Sequence, residues 1–260
     1  MEKWSNALTL EELHCFLDEK AAQYEKINFL EEDPIQIPHL YTQPIDIEIS
    51  GFLTSVMAWG QRKTIIANAH KLMSYLDNAP GEFILGATDQ DLDAIGPFVH
   101  RTFQHEDLIF FLKRLRQLYH QGKGLNSFFD TPDSDGRIQE SISRFKHYFF
   151  SVDHPLRSQK HLPDPLKGAA AKRMNMYLRW MVRSPRNGVD FGIWTLPSSA
   201  LSCPLDVHTA RVARKLGLIH RKLDDAKTLQ ELDTQLRKMD PVDPAKYDFA
   251  LFGLGVFEKF

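Results

Sequence analysis

Cysteine is nearly absent from this chain: Cys15 and Cys203 are the only two in 260 residues. Two distant cysteines build no disulfide framework, no cysteine-based zinc site and no iron–sulfur cluster, and they fit a reducing cytoplasm. Long hydrophobic runs are missing as well. None approaches the roughly 20 apolar residues that a bilayer-spanning helix needs, and the N-terminus is acidic, without the basic and apolar regions of a secretory leader. A cytoplasmic protein with no membrane partner is therefore expected. Positive charge is not in excess: the formal net charge is −2, which removes a global positive field as a basis for binding polyanions. The chain also offers no convincing strand pair, low-complexity tract or internal repeat.

What is present is an ordinary globular composition, 43% hydrophobic and 25% charged, long enough for one large domain or two small ones. The charge is unevenly spread. Residues 11–33 hold eight acids and two lysines, whereas residues 157–186 hold eight bases against Asp164 alone. Such a basic run reads either as a local phosphate-binding surface or as a solvated helix face with a loop.

Helical periodicity runs through nearly the whole chain. Thr9-Leu10-Glu11-Glu12 has the form of a capping box, followed by a stripe of Leu13, Phe16, Leu17, Ala21 and Tyr24. Pro34 and Pro38 predict an extended connector over residues 31–45. Further helices are expected at Ile47–Trp59, Thr64–Leu76, His105–Gln121, Arg137–Phe150, Ala169–Arg183, His208–Leu216, Lys227–Met239 and Pro244–Gly253. Gly217 stands at the C′ position of the helix before it. Residues 184–204, with three prolines and an Asn-Gly pair, predict an irregular insert around Phe191 and Trp194. The class is all-α, in two packed lobes.

Two segments carry candidate chemistry. In Leu166-Lys167-Gly168-Ala169-Ala170-Ala171-Lys172, the small residues permit a tight turn into a helix, and backbone N–H groups there suit a phosphate. Lys172 falls in the first turn of that helix. A desolvated lysine at a helix N-terminus is a nucleophile, and an exposed lysine in an alanine-rich helix start is the plainer reading. In Pro204-Leu205-Asp206-Val207-His208-Thr209-Ala210-Arg211, Asp206 is placed to cap the following helix. An ionised cap can also stabilise positive charge in front of it. His208 reads as a packed, hydrogen-bonded residue, since no metal-type partner stands at i+4.

Together these segments resemble the helix-hairpin-helix DNA glycosylases, the superfamily of endonuclease III and the 8-oxoguanine glycosylases. There the hairpin reads L-P-G-V-G-x-K and the acidic segment P-V-D-[VT]-H, followed by a basic, apolar helix ending near L-G. Gly168 matches the first hairpin glycine, Ala170 replaces the second and Lys167 replaces the proline. Lys172 falls on the Schiff-base lysine and Asp206 on the catalytic aspartate. The two are 34 positions apart, a separation that resembles the archaeal 8-oxoguanine branch more than endonuclease III. The resemblance covers roughly residues 45–260 and is most specific at 166–217; the chain looks like a bacterial family within the superfamily.

The resemblance implies a two-lobed helix-hairpin-helix fold. One lobe would span 45–185 with the hairpin and Lys172, the other 1–44 plus 186–260, with the active-site cleft between them. It implies base excision with β-lyase activity on duplex DNA containing a damaged base, such as 8-oxoguanine, by a monomer without metal or organic cofactor, associated with a bacterial nucleoid. Gly168, Ala169, Ala170, Arg173, Arg211 and Arg214 would bind DNA, and Gln61 would enter the gap left by an extruded base. Gln61 reads equally as a plain helix-terminus residue. Met176, Asp248 and Phe252 would form the base pocket, Asp248 and Phe252 sharing one helix face at i, i+4; Phe252 also reads as a core residue. The different-class alternative is a non-catalytic helix-hairpin-helix module that binds nucleic-acid structure, favoured by Lys167 and Ala170. A helical scaffold for protein partners would lack salt-dependent DNA affinity.

Overall fold

The computed structural model describes residues 9–260, and they are mostly helical. The chain divides into two compact units: residues up to Phe29 with Thr131–Ser143 and Asp164–Phe260, and Leu30–Asp130 with Arg144–Pro163. This division differs from the expected one at residues 30–44, 131–143 and 164–185. Lys172 and Asp206 share the first unit.

In the first unit, helix α1 (Leu10–Tyr24) opens with the expected capping box: Glu12 N–H donates to the Thr9 hydroxyl, and Thr9 N–H to the Glu12 carboxylate. Helix α8 (Lys172–Val182) follows a 3-10 turn at Pro165–Lys167, and α9 (Val207–Lys215), α10 (Ala226–Met239) and α11 (Tyr247–Val256) complete the unit. Leu13, Leu17 and Ala21 of α1 bury against Leu251 and Leu254 of α11 and Val212 of α9 in one aliphatic cluster. α1 and α11 approach so closely that a methyl group on Gly253 would overlap the Tyr24 ring. Gly217, with φ +73°, ends α9 in the left-handed conformation that favours glycine, and Leu218 N–H donates back to the Ala213 carbonyl at 2.9 Å.

The second unit contains α2 (Pro44–Met57), α3 (Arg62–Tyr75), α4 (Pro80–Gly86), α5 (Asp89–Asp93) and α6 (His105–His120). Helix α7 (Gln139–Phe149) runs through the boundary between the units at Ser143 and Arg144. Phe52 packs against Phe111, Phe145 and Phe149 with centroids 5.8–6.2 Å apart, largely edge-on or tilted as aromatic quadrupoles prefer. Two elements depart from expectation. Residues 31–45 are not an extended connector: Pro34–Gln36 and Pro38–Leu40 are 3-10 turns, each starting on a proline whose fixed φ suits the first helical position. A strand pair does exist, two residues each, β1 (Val99–His100) against β2 (Phe103–Gln104), too short to leave a periodic signal.

Among the described residues, no helix is long and apolar enough to cross a membrane.

Candidate active site

Asp164, Pro165, Leu166 and Lys167 form one 3-10 turn, closed by Gly168 at φ +95°. Ser143 of α7 anchors that turn. Its hydroxyl donates to Asp164 Oδ1 at 2.8 Å and accepts from Leu166 N–H at 3.2 Å. A Cβ on Gly168 would meet nothing within 4 Å, so the backbone there is open to approach. Ala169 bridges to Asp225, and Ala226 N–H donates to the Gly168 carbonyl at 3.0 Å, tying the turn to the start of α10. Ala171 is left-handed at φ +50°, a conformation that costs a residue with a Cβ about 1–2 kcal/mol. Ala171 is the N-cap of α8, so the strain sits immediately before Lys172.

Lys172 is therefore the first residue of its helix, half-buried, and its Nζ lies 3.7 Å from Met176 Sδ, one turn on. No carboxylate pairs with Lys172 among the described residues. Asp206 is the N-cap of α9: its Oδ1 accepts from His208 and Thr209 N–H groups, each at 2.9 Å. Among the described residues no donor is found on Oδ2. His208 packs edge-on against Phe252, centroids 6.5 Å apart, and its Nδ1 is buried without a hydrogen-bond partner, contrary to the expected hydrogen-bonded role. Phe252 is half-buried, flanked by His208 and by Phe29 at 6.0 Å. The first turn of α9 and the face of α11 thus place an aromatic ring beside the Asp206 cap. Gly255 permits this: its Cβ would come 3.1 Å from His208 Cβ.

The other expected residues are placed differently. Asp248 is buried, and its Oδ2 receives Arg179 Nη1 at 2.5 Å while Oδ1 faces Cys203 Sγ at 4.0 Å, so its carboxylate is already engaged. Burial beside Asp248, Asp233 and Asp206 pushes the Cys203 thiol well above its usual range. Arg211 donates to the Gly255 carbonyl at 2.6 Å, and Arg214 holds the 221–224 loop through the Arg221 carbonyl and the Asp224 carboxylate. Both guanidiniums serve the fold at these contacts. Burial lowers the half-buried Arg173 guanidinium to about 10. Gln61 is exposed at the N-cap of α3, in the second unit, and Met176 is buried under Lys172.

The basic run of 157–186 does not form one patch. Arg179 and Arg183 are buried in the first unit among Glu25, Asp190, Asp243 and Asp248. Arg183 alone reaches Glu25, Asp190 and Asp243 at 2.7–2.8 Å, and despite its burial those carboxylates raise its pKa. Desolvation raises Asp190 against the pull of both arginines. Arg157, in the second unit, is bound to Glu106 and Asp107.

A model of a protein family of unknown function, DUF2400, matches residues 33–257. The chain belongs to the DUF2400 family. No curated protein and no solved structure matches it. The match reaches into both units of this DUF2400 protein, including the 164–171 turn, Lys172, Asp206 and Phe252.

Several residues of this DUF2400 site have no motif of their own. Asn175, on α8, donates through Nδ2 to the Ala170 carbonyl at 3.1 Å, and the Ser202 hydroxyl and the Cys203 N–H both donate to Asp233 on α10. The available sequence signal is a polar residue inside an apolar helix face, Asn175 between Met174 and Met176. The insert at 184–204 packs: Phe191 and Trp194 N–H groups donate to the Trp180 and Met181 carbonyls, and Trp194 meets Tyr177 edge-on at 5.4 Å.

Proposed function

We infer that this protein is a two-lobed helix-hairpin-helix DNA glycosylase with β-lyase activity, acting on an oxidised purine such as 8-oxoguanine in duplex DNA. The observation that carries this reading is one of pairing. In a unit whose buried arginines are matched to acids, Lys172 pairs with no carboxylate and Asp206 Oδ2 accepts no hydrogen bond among the described residues. Both sit at helix starts, Lys172 as the first residue of α8 and Asp206 as the N-cap of α9.

The DNA backbone would lie against the open turn at Gly168, and one nucleotide would leave the stack, because a stacked base is out of reach. Phe252, half-buried beside His208, offers a ring for the extruded base. The Lys172 amine attacks the sugar C1′, the C1′–N bond breaks, and the base leaves with that electron pair and a proton. Asp206 stabilises the positive charge at C1′ and passes the proton shed by the amine to the departing base. Opening of the sugar ring gives a Schiff base, from which loss of the C2′ proton expels the 3′ phosphate. Asp248 is assigned here to fixing the pocket wall through Arg179 rather than to contacting the base.

The test is borohydride trapping on duplex oligonucleotides carrying 8-oxoguanine, other oxidised bases or an abasic site. The wild type is expected to form a covalent adduct and Lys172→Ala none. Salt-dependent DNA binding without any adduct would favour the non-catalytic module instead.

A further inference from the structure

Four side chains of the first unit connect the turn before Lys172 to the segment before Asp206. Asn175 Nδ2 donates to the Ala170 carbonyl at 3.1 Å, and its backbone N–H donates to Ala171 at 2.9 Å, so one residue grips both peptides of the strained turn. Gln139 Nε2 then bridges Asn175 Oδ1 at 2.9 Å and Ser202 Oγ at 3.1 Å. Ser202 donates to Asp233 Oδ2, and Asp233 Oδ1 accepts from Cys203 N–H at 3.3 Å. Asn175, Ser202 and Asp233 are at most 1% exposed. Three residues beyond Cys203 stands Asp206.

The endpoints are separately anchored. Gln139 and Ser143 lie one turn apart on α7; one meets the relay and the other meets Asp164 and Leu166 at the base of the hairpin. Helix α10 does the same from its side. Ala226 N–H holds the Gly168 carbonyl, Asp233 holds Ser202 and Cys203, and Arg237 donates to the Leu201 carbonyl at 2.9 Å. Buried hydrogen bonds are costly to break because their members find no replacement partner, so such a chain transmits position rather than flexing. An aliphatic interior would stabilise the fold as well; a directional relay that starts at one candidate reactive segment and ends at the other does something more.

We propose that Asn175, Gln139, Ser202 and Asp233 are positioning residues that set the Lys172 turn and the Asp206 cap in register with each other. This rests on the reading of Lys172 and Asp206 as the reactive pair. Neither Gln139 nor Ser202 touches DNA in this account, so loss of either slows the chemical step and leaves binding alone. A displacement on the order of 1 Å costs about a hundredfold in rate.

The experiment uses the full chain, with Gln139→Ala and Ser202→Ala compared with the wild type in two measurements. Single-turnover trapping is expected to slow by about ten- to a hundredfold with an unchanged Kd for DNA, and Ser202→Thr, which keeps the hydroxyl, to restore the rate. Hydrogen exchange is expected to rise about tenfold at both 169–172 and 203–209 in Gln139→Ala, although residue 139 lies in neither segment. Exchange changes confined to α7, or equal losses in binding and rate, would overturn the proposal. An absent adduct in the wild type with coupled exchange intact would overturn the glycosylase reading while supporting the relay.

Discussion

The interiors of the two units are built from different materials. The second is organised around phenylalanine: Phe111 alone meets Phe52, Phe103, Phe110, Phe149 and Phe150 with centroids 4.9–6.3 Å apart. The first combines an aliphatic cluster with buried ions, Arg179 and Arg183 among four carboxylates, and with the relay from Ala170 to Asp233. Apolar packing is non-directional and tolerates small shifts, whereas hydrogen bonds and ion pairs fix angles as well as distances. The second unit holds buried polar contacts too, Asp107 with Arg157 and Ser158 and Arg114 with the Phe149 carbonyl, so the contrast is one of proportion, and the candidate reactive residues lie on the more polar side of it.

The largest effects test that contrast directly. Phe111→Ala and Arg183→Ala are each expected to cost about 3–5 kcal/mol in denaturant unfolding, one by leaving a cavity, the other by leaving Glu25 and Asp243 unpaired and Asp190 with Arg179 alone. The two separate with pH. Protonating those carboxylates removes the repulsion, so the Arg183→Ala penalty shrinks under acid conditions, and the Phe111→Ala penalty does not. Equal pH dependence would erase the distinction between the units.

Asp233 gives the next largest effect. Burial raises its carboxyl to about 6 from 3.8, against the opposing pull of Arg237, Ser202, the Cys203 N–H and Arg137. The folded state therefore holds this proton more tightly than the unfolded state. Its contribution to stability is greatest below about pH 4, is lost as pH rises through about 6, and is on the order of 3 kcal/mol. Asp233→Asn is expected to flatten that part of the stability profile, as read by urea midpoints between pH 4 and 7.

Smaller effects belong to the site's backbone. Gly168→Ala should cost about 1–2 kcal/mol, all of it conformational, because the added methyl group meets nothing at φ +95°. Asp206→Ala should lose about 1 kcal/mol of capping, and Asp206→Asn only a few tenths, since an amide oxygen can still accept from His208 and Thr209 N–H. Both are expected to lose adduct formation, so a fully active Asp206→Asn would reduce the aspartate to a cap.

Local features were legible in the sequence. The Thr9–Glu12 box, the Asp206 cap, Gly217 after α9 and Lys172 in a first helical turn each depend on residues within one turn of one another. What was not legible depends on distance along the chain. Arg183 pairs with Glu25 across 158 positions, and Gln139 meets Ser202 across 63, so neither partner announces itself locally. For the same reason Arg179 and Arg183 read as part of a basic run, and Asp248 as an available acceptor. The 3-10 turns at 34–40 were hidden by prolines that signal an extended chain and a helix start equally well.

The central claim concerns the Lys172 amine, and borohydride trapping on duplex DNA carrying an abasic site or 8-oxoguanine tests it most directly. The account predicts one covalent adduct whose attachment maps to Lys172 by peptide mass and which is lost in Lys172→Ala. DNA binding by the wild type with no adduct on any substrate, or an adduct mapping to another residue, would contradict it.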